Sequence, residues 1–245
     1  MDRLYIVIPA YNEEENIEKV VDDWYPVVEA HNQEGNSRLI VIDDGSRDHT
    51  YEILQKLAED RPLLVCLTKP NGGHGATVLY GYHYALENGA DFVFQTDSDG
   101  QTIPTEFEPF WQLRNEYDLV IGNRRSREDG FSRIVVTKTL KVVIRLCFGA
   151  NVMDANTPYR LMRAKPLAEN IALIPRDFNL SNAVLTVLYA KKRQSLRYLP
   201  ITFRPRQGGV NSINLRKIAK IGLRAMKDFR TINRMLKTIE QQPQK

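Results

Sequence analysis

Five short apolar runs, at residues 4–9, 39–42, 63–68, 92–96 and 119–121, punctuate the first 125 residues of the chain. Helix-like segments at about 15–30, 50–59, 76–87 and 105–115 lie between them. Apolar strands separated by helices predict a mostly parallel sheet covered on both faces, because only burial on both sides removes the need for a polar alternation. Repeated right-handed crossovers then gather the C-terminal strand ends along one rim, where open α/β sheets bind ligands. The residues that follow the runs are polar or glycine-rich: Pro9-Ala10-Tyr11-Asn12-Glu13, Asp43-Asp44-Gly45-Ser46, Lys69-Pro70-Asn71-Gly72-Gly73-His74-Gly75 and Asp97-Ser98-Asp99-Gly100-Gln101. Four such clusters on one rim constitute a site.

The fourth cluster carries the sharpest chemistry. Two carboxylates one residue apart, with an amide oxygen two residues on, repel one another unless a cation sits between them. Hard oxygen donors suit Mg²⁺ or Mn²⁺, ions that keep several waters and bind through one or two carboxylates plus substrate phosphates. A polar Asp-Gly turn is the plain alternative, and position after a buried run, in register with the other clusters, favours the ion. Asp43-Asp44-Gly45-Ser46 can accept from a base N–H or a ribose hydroxyl, and equally can cap a helix. Gly72-Gly73-His74-Gly75 lets backbone approach a ligand, and the helix start after it favours phosphate. His74 on its own reads as structural.

Beyond residue 125 the pattern is less regular. A basic loop at 124–133 leads to a helix-like stretch at 134–148, then the 154–163 segment, a helix at 180–191 and a strand pair around 196–206 bent at Pro200. Arg124, Arg125, Arg127 and Arg133, with Arg206 beside Gln207-Gly208-Gly209, suggest a doubly anionic reaction partner, since planar guanidinium groups grip phosphate bidentately. The net charge of +4 is unevenly placed: residues 214–240 hold eight basic side chains against Asp228 and Glu240. In the same tail Leu215, Ile218, Gly222, Ala225, Phe229, Ile232, Leu236 and Ile239 form an apolar helical stripe. Such a helix can lie on an anionic membrane surface or against an integral-membrane partner, or pack on its own domain or in a homodimer. Cys66 and Cys147 have no disulfide or metal spacing and read as buried thiols in a reducing compartment. No apolar run approaches a bilayer span and no secretory leader is seen, so the expectation is a cytoplasmic protein, peripheral at the membrane face.

Taken in order, Val7-Ile8-Pro9-Ala10-Tyr11-Asn12-Glu13-Glu14, Asp43-Asp44-Gly45-Ser46, Asn71-Gly72-Gly73-His74-Gly75-Ala76, Asp97-Ser98-Asp99-Gly100-Gln101 and Gly122-Asn123-Arg124 resemble glycosyltransferase family 2, with its GT-A fold. The resemblance spans residues 3 to about 215. It is strongest to the polyprenyl-phosphate (dolichol-phosphate mannosyltransferase-like) branch, through Gln101, Arg133 with Thr137, the Asp154…Arg160-Leu161-Met162 segment, and Arg206 before a Gly-x-x-Ser turn that ends at Ser212. It implies a transferase domain over 1–210, with a nucleotide-sugar half to about 125 and an acceptor half beyond it, and a basic amphipathic helical tail over 211–245. By position it implies that Pro9, Tyr11, Glu13, Ile42 and Asp44 bind the nucleoside and that Asp97 and Ser98 border ribose and diphosphate. Asp97, Asp99 and Gln101 would surround Mg²⁺ or Mn²⁺. Arg124, Arg133 and Arg206, with Thr137 and Ser212 beside them, would face the phosphates of donor and acceptor.

The function this implies is a metal-dependent, inverting transfer of a sugar from a GDP- or UDP-sugar to a polyprenyl phosphate. The metal and Arg124 would stabilise the leaving diphosphate. A lipid phosphate needs no general base, whereas a hydroxyl acceptor does. The arginine-rich acceptor side, and the absence of a Gln-x-x-Arg-Trp motif, favour phosphate. One alternative is a family 2 transferase acting on a saccharide hydroxyl, with Asp154 or Asp177 as base. Another is a nucleotidyltransferase, which would use the same acidic pair on a triphosphate. A nucleic-acid binder built on the basic tail is disfavoured, because the tail lacks aromatic stacking platforms.

Overall fold

The computed structural model describes residues 2–33, 35–124, 145, 155–204 and 229–234. Arg133, Thr137, Asp154, Arg206, Ser212, Cys147 and most of the tail lie outside the described residues. The first segment runs β1 (Leu4–Ala10), α1 (Ile17–Ala30), β2 (Arg38–Asp43), α2 (Thr50–Glu59), β3 (Leu64–Thr68), α3 (His74–Glu87), β4 (Phe92–Gln95), a 3₁₀ turn at Pro104–Glu106, α4 (Glu108–Gln112) and β5 (Leu119–Arg124). The second runs β6 (Arg160–Arg163), α5 (Ala164–Ile171), α6 (Ser181–Lys191) and β7 (Leu196–Ile201).

All seven residues of β1 are buried, which is why it carries no polar alternation. Its odd and even positions go to opposite layers. Tyr5 and Val7 join Ile40, Ile42, Val78, Leu79 and Tyr82 beneath α3 and α6. Leu4, Ile6 and Ile8 join Leu39, Val41, Val21, Trp24 and Leu54 beneath α1 and α2. Both faces of the central strands are thus dry, as the apolar runs predict.

The seven-stranded sheet has the order β3-β2-β1-β4-β6-β5-β7. β1 pairs in parallel with β2 and β4, β2 with β3, and β5 with β7. β6 runs antiparallel to both of its neighbours, β4 and β5. Because β6 separates them, β4 and β5 point the same way, and all the strands but β6 end on one rim.

Three features differ from the sequence expectation. The 154–163 segment supplies β6, a four-residue strand with arginine at each end, buried by position rather than by composition. The 105–115 helix is broken into a 3₁₀ turn and a single short helix, with Pro104 and Pro109 at their starts. In place of a strand pair, described residues 196–204 hold one strand, β7 at Leu196–Ile201, at the sheet edge. Pro200 is tolerated there because an outer edge asks for no ladder donor on its open side.

The tail's stripe is used at home where it is described. Phe229 and Ile232 are buried in the α3/α6 layer, with the Phe229 ring 5.8 Å from that of Phe178. Arg230 beside them is exposed. No helix among the described residues is long and apolar enough to cross a membrane.

Candidate active site

An open cleft of about 420 Å³ lies on the rim where the parallel strands end. The end of β1, with Pro9, Tyr11 and Glu13, lies at its middle, because β1 stands between β2 and β4 in the sheet. Asp44 after β2, with Asn71, Gly73, His74 and Thr77 at the start of α3, lines it too, and Asp97, Ser98 and Asp99 after β4 form the wall on the β4 side. Seven of the residues singled out in the sequence therefore meet in one cavity. Tyr11 keeps 41% of its surface exposed, an unusual state for a large aromatic ring, and presents that ring at the cleft mouth.

The turn after β2 divides its two acids between different tasks. Asp43 closes the turn, accepting from the Ser46 N–H at 3.0 Å and the Thr68 hydroxyl at 2.8 Å. Asp44 is buried and accepts from the Lys69 ammonium and from the N–H groups of Gly72 and Gly73, both at 2.9 Å. Burial opposes its charge, but Lys69, Gly72 and Thr77 outweigh that and hold its carboxyl below the usual range. Two of the amides expected to cradle a phosphate are thus already engaged by Asp44. Ile42, predicted as a nucleoside contact, points its side chain into the fully buried α3 layer, because β-alternation turns it away from Asp43's face. Glu13 accepts from the Asn16 side chain at 2.8 Å, and its carbonyl caps the start of α1.

The glycines at 73 and 75 serve backbone approach, but the partner is the chain itself. Gly73 has φ +87°, the left-handed region, and a Cβ there would lie 2.7 Å from Asn179 Oδ1. A Cβ on Gly75 would meet the carbonyl oxygens of Asn179 and Phe178 at 2.3 and 2.4 Å. The loop before α6 is clamped onto the first turn of α3, and only glycine permits it.

That clamp fixes His74, the first residue of α3. Its Nε2 lies 2.9 Å from Asp97 Oδ1. Burial pushes its pKa down, but the charges of Asp97 and Asp99 and the hydrogen bond carry it above the ordinary value. His74 is thus hydrogen-bonded to the acidic side of the cleft, a contact that the sequence did not single out. The sequence signal was its place in a glycine-rich strand-end cluster.

Asp99 accepts from the Gln101 N–H at 3.1 Å, and the Gln101 side-chain nitrogen donates to the Arg204 carbonyl at 2.8 Å. That orientation reserves the amide oxygen of Gln101 for an acceptor role. Among the described residues no group of three His, Cys, Asp or Glu side chains gathers as a ready-made metal cage. Two carboxylates on one cleft wall fit an ion that takes few protein ligands and fills the rest of its shell with water and phosphate. The donor set fits.

The family model described as glycosyl transferase family 2 matches residues 5–171. The chain belongs to that family. Among its relatives is polyprenol monophosphomannose synthase of Mycolicibacterium smegmatis, 28% identical over 242 residues, covering 92% of this chain and 89% of the relative. A second is UDP-N-acetylglucosamine–dolichyl-phosphate N-acetylglucosaminyltransferase of Methanococcus voltae, 30% identical over 177 residues, or 64% of this chain and 68% of the relative. Glucosyl-3-phosphoglycerate synthase from Mycobacterium tuberculosis, solved with Mn²⁺ and UDP-glucose, superposes with a TM-score of 0.63 at 19% identity, over 94% of this chain and 79% of that one. The GT-A arrangement follows from that likeness, and family membership sets aside the nucleotidyltransferase reading.

In this glycosyltransferase Arg124 ends β5, on the same rim as the cleft but outside its wall, with its guanidinium 5.1 Å from the centre of the Phe203 ring. Arg160, the branch-pattern residue on β6, is fully buried. Its guanidinium donates to the carbonyls of Thr157, Ala155 and Asn182, so it ties β6 to the segment before it and to the start of α6. Lys69, at the head of the third rim cluster, holds Asp44, and Asn179, which the sequence did not single out, abuts the glycine turn. Asn179 stands in no motif, because it acts through a partner distant in sequence.

Proposed function

We propose that this glycosyltransferase moves a sugar from a nucleotide-sugar donor to a polyprenyl phosphate. The observation that carries the reading is the single cleft with nucleoside-type groups (Tyr11, Glu13, Asp44) at one end and the Asp97/Asp99 pair at the other. Near-full-length similarity to a polyprenol monophosphomannose synthase supports the acceptor class.

In this reading Pro9, Tyr11 and Glu13 seat the nucleoside, and Asp97 and Asp99, with the Gln101 oxygen, hold Mg²⁺ or Mn²⁺. The ion supplies charge neutralisation at the leaving diphosphate. Arg124, on the same rim, adds a cation toward that charge, and Arg133 and Arg206 bind the acceptor phosphate. An oxygen of the lipid phosphate attacks the anomeric carbon from the face opposite the diphosphate. The new C–O bond forms as the anomeric bond to the nucleoside diphosphate breaks, with inversion. The attacking oxygen is already anionic at neutral pH, so no side chain has to remove a proton. The protein works from the cytoplasmic membrane face, with Phe229 and Ile232 docked on the domain and the basic residues of the tail drawn to anionic lipid.

Purified protein is incubated with GDP- and UDP-sugars, Mn²⁺ or Mg²⁺, and a polyprenyl phosphate in detergent. The expected product is a sugar-phosphate lipid plus a nucleoside diphosphate. Transfer solely to a soluble saccharide hydroxyl, lost in Asp177→Asn with donor binding intact, would defeat the lipid reading.

A further inference from the structure

We propose that His74 is a positioning residue for the divalent-ion site, holding the Asp97 carboxylate in a fixed orientation at the cleft before any ion arrives. The proposal rests on the reading that Asp97 and Asp99 hold that ion.

Four observations carry it. His74 Nε2 stands at hydrogen-bond distance, 2.9 Å, from Asp97 Oδ1, and both residues line the cleft. The pair is too open to serve stability: the two side chains are 50% and 26% exposed, and ion pairs of that exposure contribute little to folding. The histidine's backbone, by contrast, is pinned from two sides. Asp44 takes the N–H groups of Gly72 and Gly73, and Gly75 is pressed against the backbone of Phe178 and Asn179. Finally, Asp97 follows β4 outside regular structure; Asp99 is held by the Gln101 N–H, whereas among the described residues the contact on the Asp97 carboxylate is the one from His74. A ligating carboxylate held by an outer partner is the arrangement that tunes metal sites generally, and removing the partner typically weakens metal affinity 10–100-fold.

The test uses the full chain as wild type, His74→Ala, His74→Gln and Asp97→Asn. Mn²⁺ is titrated alone and with GDP or UDP, and free Mn²⁺ is read by electron paramagnetic resonance. Wild-type binding that Asp97→Asn removes marks the ion site itself; if the wild type binds no Mn²⁺ in any of the three conditions, that parent reading fails and the proposal with it. Given an ion site, His74→Ala is expected to weaken Mn²⁺ roughly 10–100-fold. Its Tm, and its nucleoside diphosphate affinity in EDTA, are expected to stay at wild-type values. His74→Gln, whose amide can donate to the same oxygen, recovers most of the loss. Equal Mn²⁺ affinity in wild type and His74→Ala overturns the proposal while leaving the ion site standing. A loss of diphosphate affinity in EDTA would make His74 a phosphate contact instead. An imidazole ¹⁴N modulation on bound Mn²⁺ would make it a ligand. Either result overturns the positioning role.

Discussion

Residues 4–124 and residues 155–204 build the same sheet by different rules. In the first segment each strand is a local apolar run, each connection is a short helix, and each strand end delivers one motif to the rim. The second segment inserts a four-residue strand, β6, backwards between β4 and β5, and holds it through the buried Arg160 and backbone carbonyls. The Thr157, Ser181 and Asn182 side-chain oxygens are buried there with no hydrogen-bond partner among the described residues. Each such group costs about 1–3 kcal/mol. The first segment is thus specified by hydrophobic pattern and the second by polar fit, and the difference teaches where substitutions should strike function and where they should strike folding.

The largest expected effect on activity tests the first segment. Asp99→Ala should lower kcat/KM for sugar transfer by about 10²–10³-fold, the scale for losing one preorganised electrostatic group. Its urea midpoint should stay near wild type, because the side chain lies in the cleft wall. A collapse in stability with little kinetic loss would erase the contrast between the two segments.

Next comes the seam with the tail. Phe229→Ala removes a fully buried ring packed on Phe178 and should cost about 3–5 kcal/mol by urea unfolding. A wild-type midpoint would mean that the tail is not docked on the core, and would favour its stripe lying on a membrane.

Gly75→Ala probes the clamp joining the two segments. Its methyl group would overlap the Phe178 and Asn179 carbonyls, so the loop must yield at roughly 1–3 kcal/mol. Because the same turn carries His74, donor affinity measured by calorimetry should fall along with stability. Stability lost with donor binding intact would separate the clamp from the site.

The smallest effect is a pH dependence. Asp44 has a folded pKa below its ordinary value, so its contribution is complete above about pH 4 and fades as pH falls through the folded value. The wild-type urea midpoint should therefore drop on acidification below that range. Asp44→Asn should start lower and fall less steeply over the same interval; parallel curves would remove Asp44 from the account.

The sequence by itself determined the parallel layers of the first segment and the acidic pair, because both depend on neighbours a few residues apart: an apolar run must be buried on both faces, and its polar sequel must emerge at the strand end. It also placed Pro9, Tyr11, Glu13, Asp44, Ser98, Asp97 and Asp99 on one rim, where they line one cleft. Tertiary structure alone decided the rest. β6 is a strand because β4 and β5 present it with two open edges, not because Arg160-Leu161-Met162-Arg163 prefers extension. His74 faces Asp97 across 23 positions of chain, and Gly75 answers to Asn179 across about a hundred. Contacts of that span leave no periodic trace in composition, since the residue type needed at one end is set by a partner that only the folded chain brings near.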